Sequence, residues 1–372
     1  MADNMRDDPR VVLVLDAGGT SFRFNAIRGG RALLEAPYTL PSYGDDLQRS
    51  LEQLVNGFAT THAATGHQAV ALSIAFPGPA DYERGIIGDL PNLIGYRGGV
   101  PIGPMLAAQF GLPTFVNNDG ALFAYGEAIG GLLPFVNKRL AAAGSPRRFR
   151  NLLGFTFGTG FGGGIVIDGQ LVIGDNSVAG QICSMRHREE RAHIAEEGVS
   201  IRAVRGSYAA ATGMALDQTP EPKQIARIAM GDAPGDRRAA AEAFRRLGQV
   251  AGDAIANAVT LLDGLIVIGG GISGAAELFR AALLAELNGK LESWSGPTDR
   301  VKSRVLDLDD EAGLSALLSS ETRELAIPGT TQTVAYAPQK LTGFGITRLG
   351  TTAAMTLGAY AYALCKLACR AT

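Results

Sequence analysis

The chain has 372 residues, 49 of them glycine, close to twice the usage of about 7% in ordinary globular proteins. Its 46% hydrophobic and 19% charged content excludes a disordered chain, and its length exceeds the roughly 250–300 residues at which single cores split, so two domains are expected. Thirty-four basic and 36 acidic side chains leave a formal charge of −2, so there is no bulk electrostatic reason to bind nucleic acid or an anionic membrane. Small or neutral partners are expected instead. Cys183, Cys365 and Cys369 form no CxxC pair, which gives no support to a disulfide framework or a zinc ribbon. The opening MADNMRDDPR lacks the apolar core of a signal peptide, and no later run reaches the ~18 apolar residues of a membrane span. A cytoplasmic location is expected.

In chain order, the apolar run Val11 to Leu15 stops at Asp16-Ala17-Gly18-Gly19-Thr20 and resumes as an alternating stretch from Arg23 to Ile27, which reads as strand, glycine turn, strand. Leu47 to Ala64 has helical spacing, and Ala69 to Ala75 is a short buried strand that Pro77-Gly78-Pro79 prevents from continuing. Ile102 to Phe110 reads as a helix closed by Gly111, Thr114 to Val116 as a strand, and Ala121 to Ile129 as a helix behind Asn117-Asn118-Asp119. Leu133 to Arg150 carries Lys138, Arg139, Arg147, Arg148 and Arg150, and reads as a basic solvated helix or loop.

The strand and glycine turn then recur. Leu152 to Phe157 is largely apolar, Gly158-Thr159-Gly160-Phe161-Gly162-Gly163 is the turn, and Gly164 to Ile167 resumes the strand. A spacing near 140 residues is too long for a solenoid repeat and suggests duplicated domains. Further on come a helix from Ala239 to Leu262, a strand from Leu265 to Ile268, the turn Gly269-Gly270-Gly271 and a helix from Ala275 to Leu287. Pro297 to Lys340 reads as extra strands, and a last helix runs from Thr352 to Leu367. The alternation predicts an α/β fold throughout.

Gly158 to Gly163 satisfies GxGxxG, but a dinucleotide-binding turn must open a helix, and here a strand follows. No GxxxxGK[ST] occurs either. The remaining possibility is a hairpin tip whose successive amides converge on an anion, with Thr20 and Thr159 adding hydroxyl donors. Asp16, at the end of a buried strand, is costly unless paired or facing a cation, and Mg²⁺ held by one carboxylate and substrate phosphates fits. Asn118-Asp119 stands between a strand and a helix, where α/β sheets hold ligands and where helix caps also occur. Beside two phosphate cradles, Asp119 is the expected general base for phosphoryl transfer to an alcohol.

At these positions the chain resembles the ROK family of sugar kinases and sugar-responsive repressors, in the superfamily of actin and hexokinase. The resemblance runs through Asp16 to Arg23, Phe76-Pro77-Gly78-Pro79, Pro91-Asn92-Leu93-Ile94-Gly95, Val116 to Asp119, Gly158 to Gly164 and Ile266 to Gly271. It implies two RNase H-like (actin-like ATPase) domains with a cleft between them: residues 1–120 with the helix 353–372 on the sugar side, and 121–352 on the nucleotide side. It implies ATP and Mg²⁺ held by Asp16, Gly18, Gly19, Thr20 and Arg23, by Gly158, Thr159, Gly160 and Gly162, and by Gly270 and Gly271. Sugar contacts fall to Pro77, Gly78, Asn92, Asn118, Asp119, Gln181 and Glu196, with Asp119 as the base.

Departures from the family pattern fall in one place. Gly180-Gln181-Ile182-Cys183-Ser184 replaces the usual Gly-Glu-x-Gly-His, and the cysteine-rich zinc motif that follows it elsewhere is absent. No structural zinc is therefore expected, and the chain is similar to a zinc-lacking branch of the family. The preferred reading is a kinase acting on glucose at its 6-hydroxyl, with fructose, mannose or an amino sugar as alternatives. A non-catalytic sugar-binding or sensing protein is the alternative of another class. About ten residues before the first strand leave no room for a DNA-binding module. Homodimerisation is expected from the resemblance alone.

Overall fold

A computed structural model describes residues 5, 7–78, 80–90 and 93–370. Two compact units emerge. One comprises the described parts of Met1–Gly131, Gly163–Gly180 and Thr347–Thr372, and the other comprises Leu132–Gly162 and Gln181–Ile346. These bounds differ from the expected cut at residue 120, because the helix that begins at Asp119 packs on the C-terminal helix and stays with the first unit.

The first unit opens with β1 (Val11–Ala17), β2 (Ser21–Arg28), β3 (Arg31–Ala32), β4 (Tyr38–Pro41) and α1 (Leu47–Ala64). There follow β5 (Ala69–Ala75), a small hairpin of β6 (Ala80–Asp81) and β7 (Ile86–Ile87), α2 (Ile102–Phe110), β8 (Thr114–Asn117) and α3 (Asp119–Gly130). The sheet order is β3-β2-β1-β5-β8, with β4 also on β2. β1 and β2 are antiparallel, whereas β1, β5 and β8 are parallel. Val11 to Leu15 are at most 2% exposed, as expected for a central strand covered on both faces. Over one face, the Phe24 and Phe58 rings meet edge to face at 5.2 Å, and Gly57 of α1 leaves the room a Cβ would take from Phe24.

The second unit begins with α4 (Leu132–Ala142) and β9 (Leu152–Phe157); β10 (Phe161–Ile167) carries the chain back to the first, where it pairs antiparallel with β11 (Gln170–Val172). The basic stretch is thus a helix with Leu132, Leu133, Val136 and Leu140 buried, followed by a loop. Helices α5 (Ile201–Thr212), α6 (Pro222–Met230) and α7 (Arg237–Leu262) come next, then β12 (Leu265–Gly269) and α8 (Ala276–Leu287). β13 (Lys290–Leu291) precedes the region Pro297 to Lys340, which was expected to hold extra strands and contains β14 (Thr298–Asp299), β15 (Arg304–Asp307), β16 (Arg323–Ala326) and β17 (Thr333–Tyr336), but also a helix, α9 (Glu311–Leu318). Asp310 caps it by accepting from Gly313 N at 3.0 Å. β18 (Leu341–Ile346) completes a parallel set in the order β9-β12-β18-β15.

The last helix, α10 (Thr351–Arg370), lies in the first unit and packs tightly on α3. A Cβ at Gly126 would overlap the Ala354 carbonyl, and one at Gly358 that of Leu122, so the two helices touch backbone to backbone. Fully buried Glu127 accepts from Thr347 Oγ1 and from Leu349 N, fixing the turn that leads into α10. Among the described residues, no helix is long and apolar enough to cross a membrane.

Candidate active site

In the first unit, strand register brings the sequence-predicted residues to one sheet edge. Asp16 pairs with Ala75, and Ala75 with Asn117, so the chain leaves β1, β5 and β8 at the same carboxyl edge. From there run Gly18-Gly19-Thr20, Phe76-Pro77-Gly78 and Asn118-Asp119. This edge is where parallel sheets offer ligands unpaired backbone and loop side chains. Asp16 and Arg23 are cross-strand partners, with Arg23 Nη1 4.0 Å from Asp16 Oδ2. The first glycine turn closes through Gly18 N donating to Ser21 O at 3.0 Å and Ser42 Oγ donating to Gly19 O at 2.7 Å. Thr20 and Gly19 are exposed at its tip, and no atom lies within 4 Å of where a Cβ on Gly19 would stand.

Burial pushes the Asp16 carboxyl up to about 6; Arg23 opposes the shift and the charge of Asp119 adds to it. Asp119 is reachable by solvent, yet protein atoms crowd its carboxyl, and that loss of bulk water raises its pKa. The Gly120 N–H, donating to Oδ1 at 2.8 Å, pulls the other way. Asn118 caps α3: its Oδ1 accepts from Ala121 N at 3.1 Å while its Nδ2 donates to the Tyr82 hydroxyl at 3.2 Å. Tyr82, 3% exposed, donates in turn to Phe76 O at 3.1 Å, and a Cβ on Gly78 would stand 2.8 Å from its oxygen. Tyr82 therefore ties the Pro77-Gly78 loop to Asn118. Nothing in the sequence pattern singled it out. Asn92 lies outside the described residues.

Close backbone packing also anchors the helix that carries Asp119. A Cβ on Gly164 would stand 2.7 Å from Ala121 Cα, one on Gly120 3.0 Å from Gly163 N, and one on Gly180 2.8 Å from Gly163 O. The end of the second glycine motif is thus built into the support of α3.

In the second unit, the turn after β9 runs into a strand, so the dinucleotide-binding geometry is absent. Gly158 N donates to Gly160 O at 3.0 Å, and Gly158 O accepts from Ile201 N, the first residue of α5, at 2.8 Å. Thr159 is exposed and Gly162 half-buried. Gly270, at φ 90°, turns against the end of β9, where a Cβ would overlap the Phe157 carbonyl. Thr156 and Gly269 are register partners, so the Gly158 and Gly270–Gly271 turns leave the same sheet edge.

Glu196 sits on this second turn, its Oε2 accepting from Phe161 N at 3.1 Å and lying 2.6 Å from where a Cβ on Gly160 would be. A loop carries it there: Ala195 N donates to Met185 O at 2.7 Å, and His187 Nδ1 accepts from Glu189 N at 3.3 Å and Glu190 N at 3.0 Å. His187 is 7% exposed, so its imidazole holds a turn in the loop's interior. The Cys183 thiol donates to Gln181 Oε1 at 3.3 Å; burial raises its pKa, and the nearby Glu196 charge adds to the effect. Gln181 and Glu196 therefore share one neighbourhood around Cys183. Among the described residues, no group of three or more His, Cys, Asp or Glu side chains could hold a metal ion.

The sequence profile of the ROK family matches residues 12–315. A glucokinase of Streptomyces coelicolor is 26% identical over 71% of this chain and 83% of its own length. An N-acetyl-D-glucosamine kinase of Vibrio vulnificus is 28% identical over 69% of this chain and 83% of its own length. The crystal structure of a glucokinase from Parabacteroides distasonis superposes with a TM-score of 0.87 at 48% identity, covering 97% of this chain and 99% of that one. A ROK family glucokinase from Streptomyces griseus, in complex with glucose and AMPPNP, shares the fold at a TM-score of 0.62 and 21% identity, over 94% and 97% of the two chains. The α/β architecture is accordingly the actin-like ATPase fold that the motifs led us to expect. With its profile matched over most of the sequence, the chain belongs to the ROK family.

Proposed function

We propose that this sugar kinase transfers the γ-phosphoryl group of ATP to a hexose, with glucose at its 6-hydroxyl as the preferred acceptor and Asp119 as the general base. The observation that carries this reading is the pair of carboxyls at one sheet edge, each with raised proton affinity and each beside a loop able to receive a ligand. A base for an alcohol works best when its pKa has moved toward the working pH. As the sugar oxygen attacks phosphorus, its proton passes to Asp119, and the electron pair of the breaking P–O bond leaves with ADP. Asn118 spends one amide hydrogen on Tyr82, which leaves the other to orient a neighbouring hydroxyl.

Asp16 fits a divalent cation, because burial and the Asp119 charge both make its bare carboxylate costly. When bound, Mg²⁺ would neutralise charge on the phosphate oxygens. Arg23, with half of its side chain exposed, and the open amides of Gly18, Gly19 and Thr20 serve the same phosphates from the first unit. Gly158, Thr159, Gly160, Gly162, Gly270 and Gly271 are assigned to the nucleotide. Pro77, Gly78, Gln181 and Glu196 are assigned to the sugar, and homodimerisation belongs to the same reading. Kinases for N-acetyl-D-glucosamine among the relatives favour an amino sugar as the second acceptor class.

A coupled ADP-release assay over glucose, fructose, mannose, glucosamine and N-acetylglucosamine tests the reading. ATP turnover accelerated by glucose above the others supports it. Sugar binding without acceleration by any member of the panel would make the protein a sugar sensor instead.

A further inference from the structure

The carboxyl ends of the second unit's parallel strands carry the glycine turns, but their amino ends are built as well. A cavity of about 310 Å³ opens there, where residues 147–151 enter β9, Asp263-Gly264 enter β12, Ser303 precedes β15 and Lys340 precedes β18. β9 spans six residues, which at about 3.3 Å each puts this end ~20 Å from the glycine turns. The cavity is lined by Arg147, Arg148, Arg150 and Lys340 against a single carboxylate, Asp263, whose Oδ1 accepts from Ser303 Oγ at 3.1 Å.

Three of these cations, Arg147, Arg148 and Lys340, have no carboxylate beside them among the described residues. Arg147 donates from Nη2 to Gln339 O at 3.0 Å and from Nη1 to Leu341 O at 3.4 Å, and Arg148 donates from Nη1 to Ser145 O and Arg147 O, both at 2.7 Å. All four acceptors are neutral carbonyls. Among the described residues, no carboxylate lies within 4 Å of Arg147, Arg148 or Lys340. The buried Nε of Arg147 has no hydrogen-bond acceptor, and burial pulls that guanidinium below its ordinary range. The carboxyl end of α7 terminates beside them, with Leu262 O and Asp263 O accepting from Asn151 Nδ2. A helix end contributes only about half a negative charge, less than the summed charge of Arg147, Arg148 and Lys340.

We propose that this cavity binds a small phosphorylated anion at a site separate from the one where phosphoryl transfer takes place. Phosphate oxygens match the fork of a guanidinium, and the side chains of Arg148 and Lys340 are exposed at the cavity. The volume admits a diphosphate or a phosphate monoester of a small alcohol, and not a nucleic acid strand.

The test is calorimetric titration of the full chain with inorganic pyrophosphate in EDTA. The comparison is with an Arg148→Ala/Lys340→Ala variant, whose two sites are exposed, and with Arg147→Gln, which keeps an amide donor toward the same carbonyls. One equivalent of pyrophosphate should bind to the wild type, and affinity should fall roughly tenfold or more in the double variant, as expected for lost charge-assisted hydrogen bonds. Arg147→Gln should show a comparable loss. Kinase activity without pyrophosphate should be unchanged in the double variant. Equal affinity in all three proteins, or uptake that never saturates and fades with salt, would overturn the proposal.

Discussion

The two glycine turns have the same sequence grammar and different surroundings. The first, at Gly18–Thr20, is open at its tip and carries its own carboxylate, Asp16, with a second carboxylate, Asp119, at the same sheet edge of the unit, two strands away. The second, at Gly158–Gly162, has no carboxylate of its own and receives one from Glu196, carried in by a loop that His187 braces from within. The first turn is therefore tuned through proton affinity and the second through placement. Substitutions at the two should fail in different ways.

The largest effect is expected at the first turn's partner. Asp119→Ala should lower kcat by about 10²–10⁴-fold, the usual contribution of a general base, with sugar binding retained. Steady-state ADP release and sugar titration measure the two halves of that statement, and near-normal turnover would remove Asp119 from its role.

A large effect of another kind is expected at Gly270, in the turn that leaves the same sheet edge as the second. Gly270→Ala forces a side chain at φ 90° into the Phe157 carbonyl and should cost several kcal/mol, about 3 or more, seen as loss of soluble protein or a collapsed melting transition. Asp16→Asn should instead stabilise. Its folded pKa, about 6 against the ordinary 3.8, means the native state binds the proton more tightly than the unfolded chain, so stability falls as pH rises through that window. Removing the carboxyl should recover about 1–3 kcal/mol at pH 7 and nothing below pH 4, at the expense of activity. Thermal melts at both pH values read it directly, and a lower midpoint at pH 7 would contradict it.

The smallest effect is expected for Gly160→Ala. Its Cβ would meet only the end of the Glu196 side chain, which can swing away. The fold should survive within about 1 kcal/mol while the KM for ATP or sugar rises severalfold, and an unchanged KM would show that Glu196 has no influence on the turn.

Much of this was legible in the sequence because it is local. A buried apolar run ending in Asp16 and glycines, and a strand feeding Asn118-Asp119, are patterns that need no knowledge of distant residues. The strand after Gly163 similarly ruled out the dinucleotide turn. What escaped is what long-range packing decides. Tyr82 bridges Phe76 and Asn118 only because the hairpin of β6 and β7 returns it to that edge, and Glu127 reads as an ordinary helix-surface glutamate until Thr347 and Leu349 close over it. Helix α3 was expected to belong to the nucleotide-side domain from residue 121 on, yet its glycine contacts with α10, between residues more than 200 positions apart, keep it in the first unit. The basic stretch after Leu133 hid a half-buried amphipathic helix for the same reason.

The pH dependence of kcat/KM is the most direct test of the central claim that Asp119, beside Asp16, is the general base. The raised proton affinity of Asp119, beside Asp16 at about 6, predicts an acid limb that falls above the ordinary carboxylate value of about 4, as the pair takes up protons and the base is lost. A profile that stays flat down to about pH 4 would contradict the account.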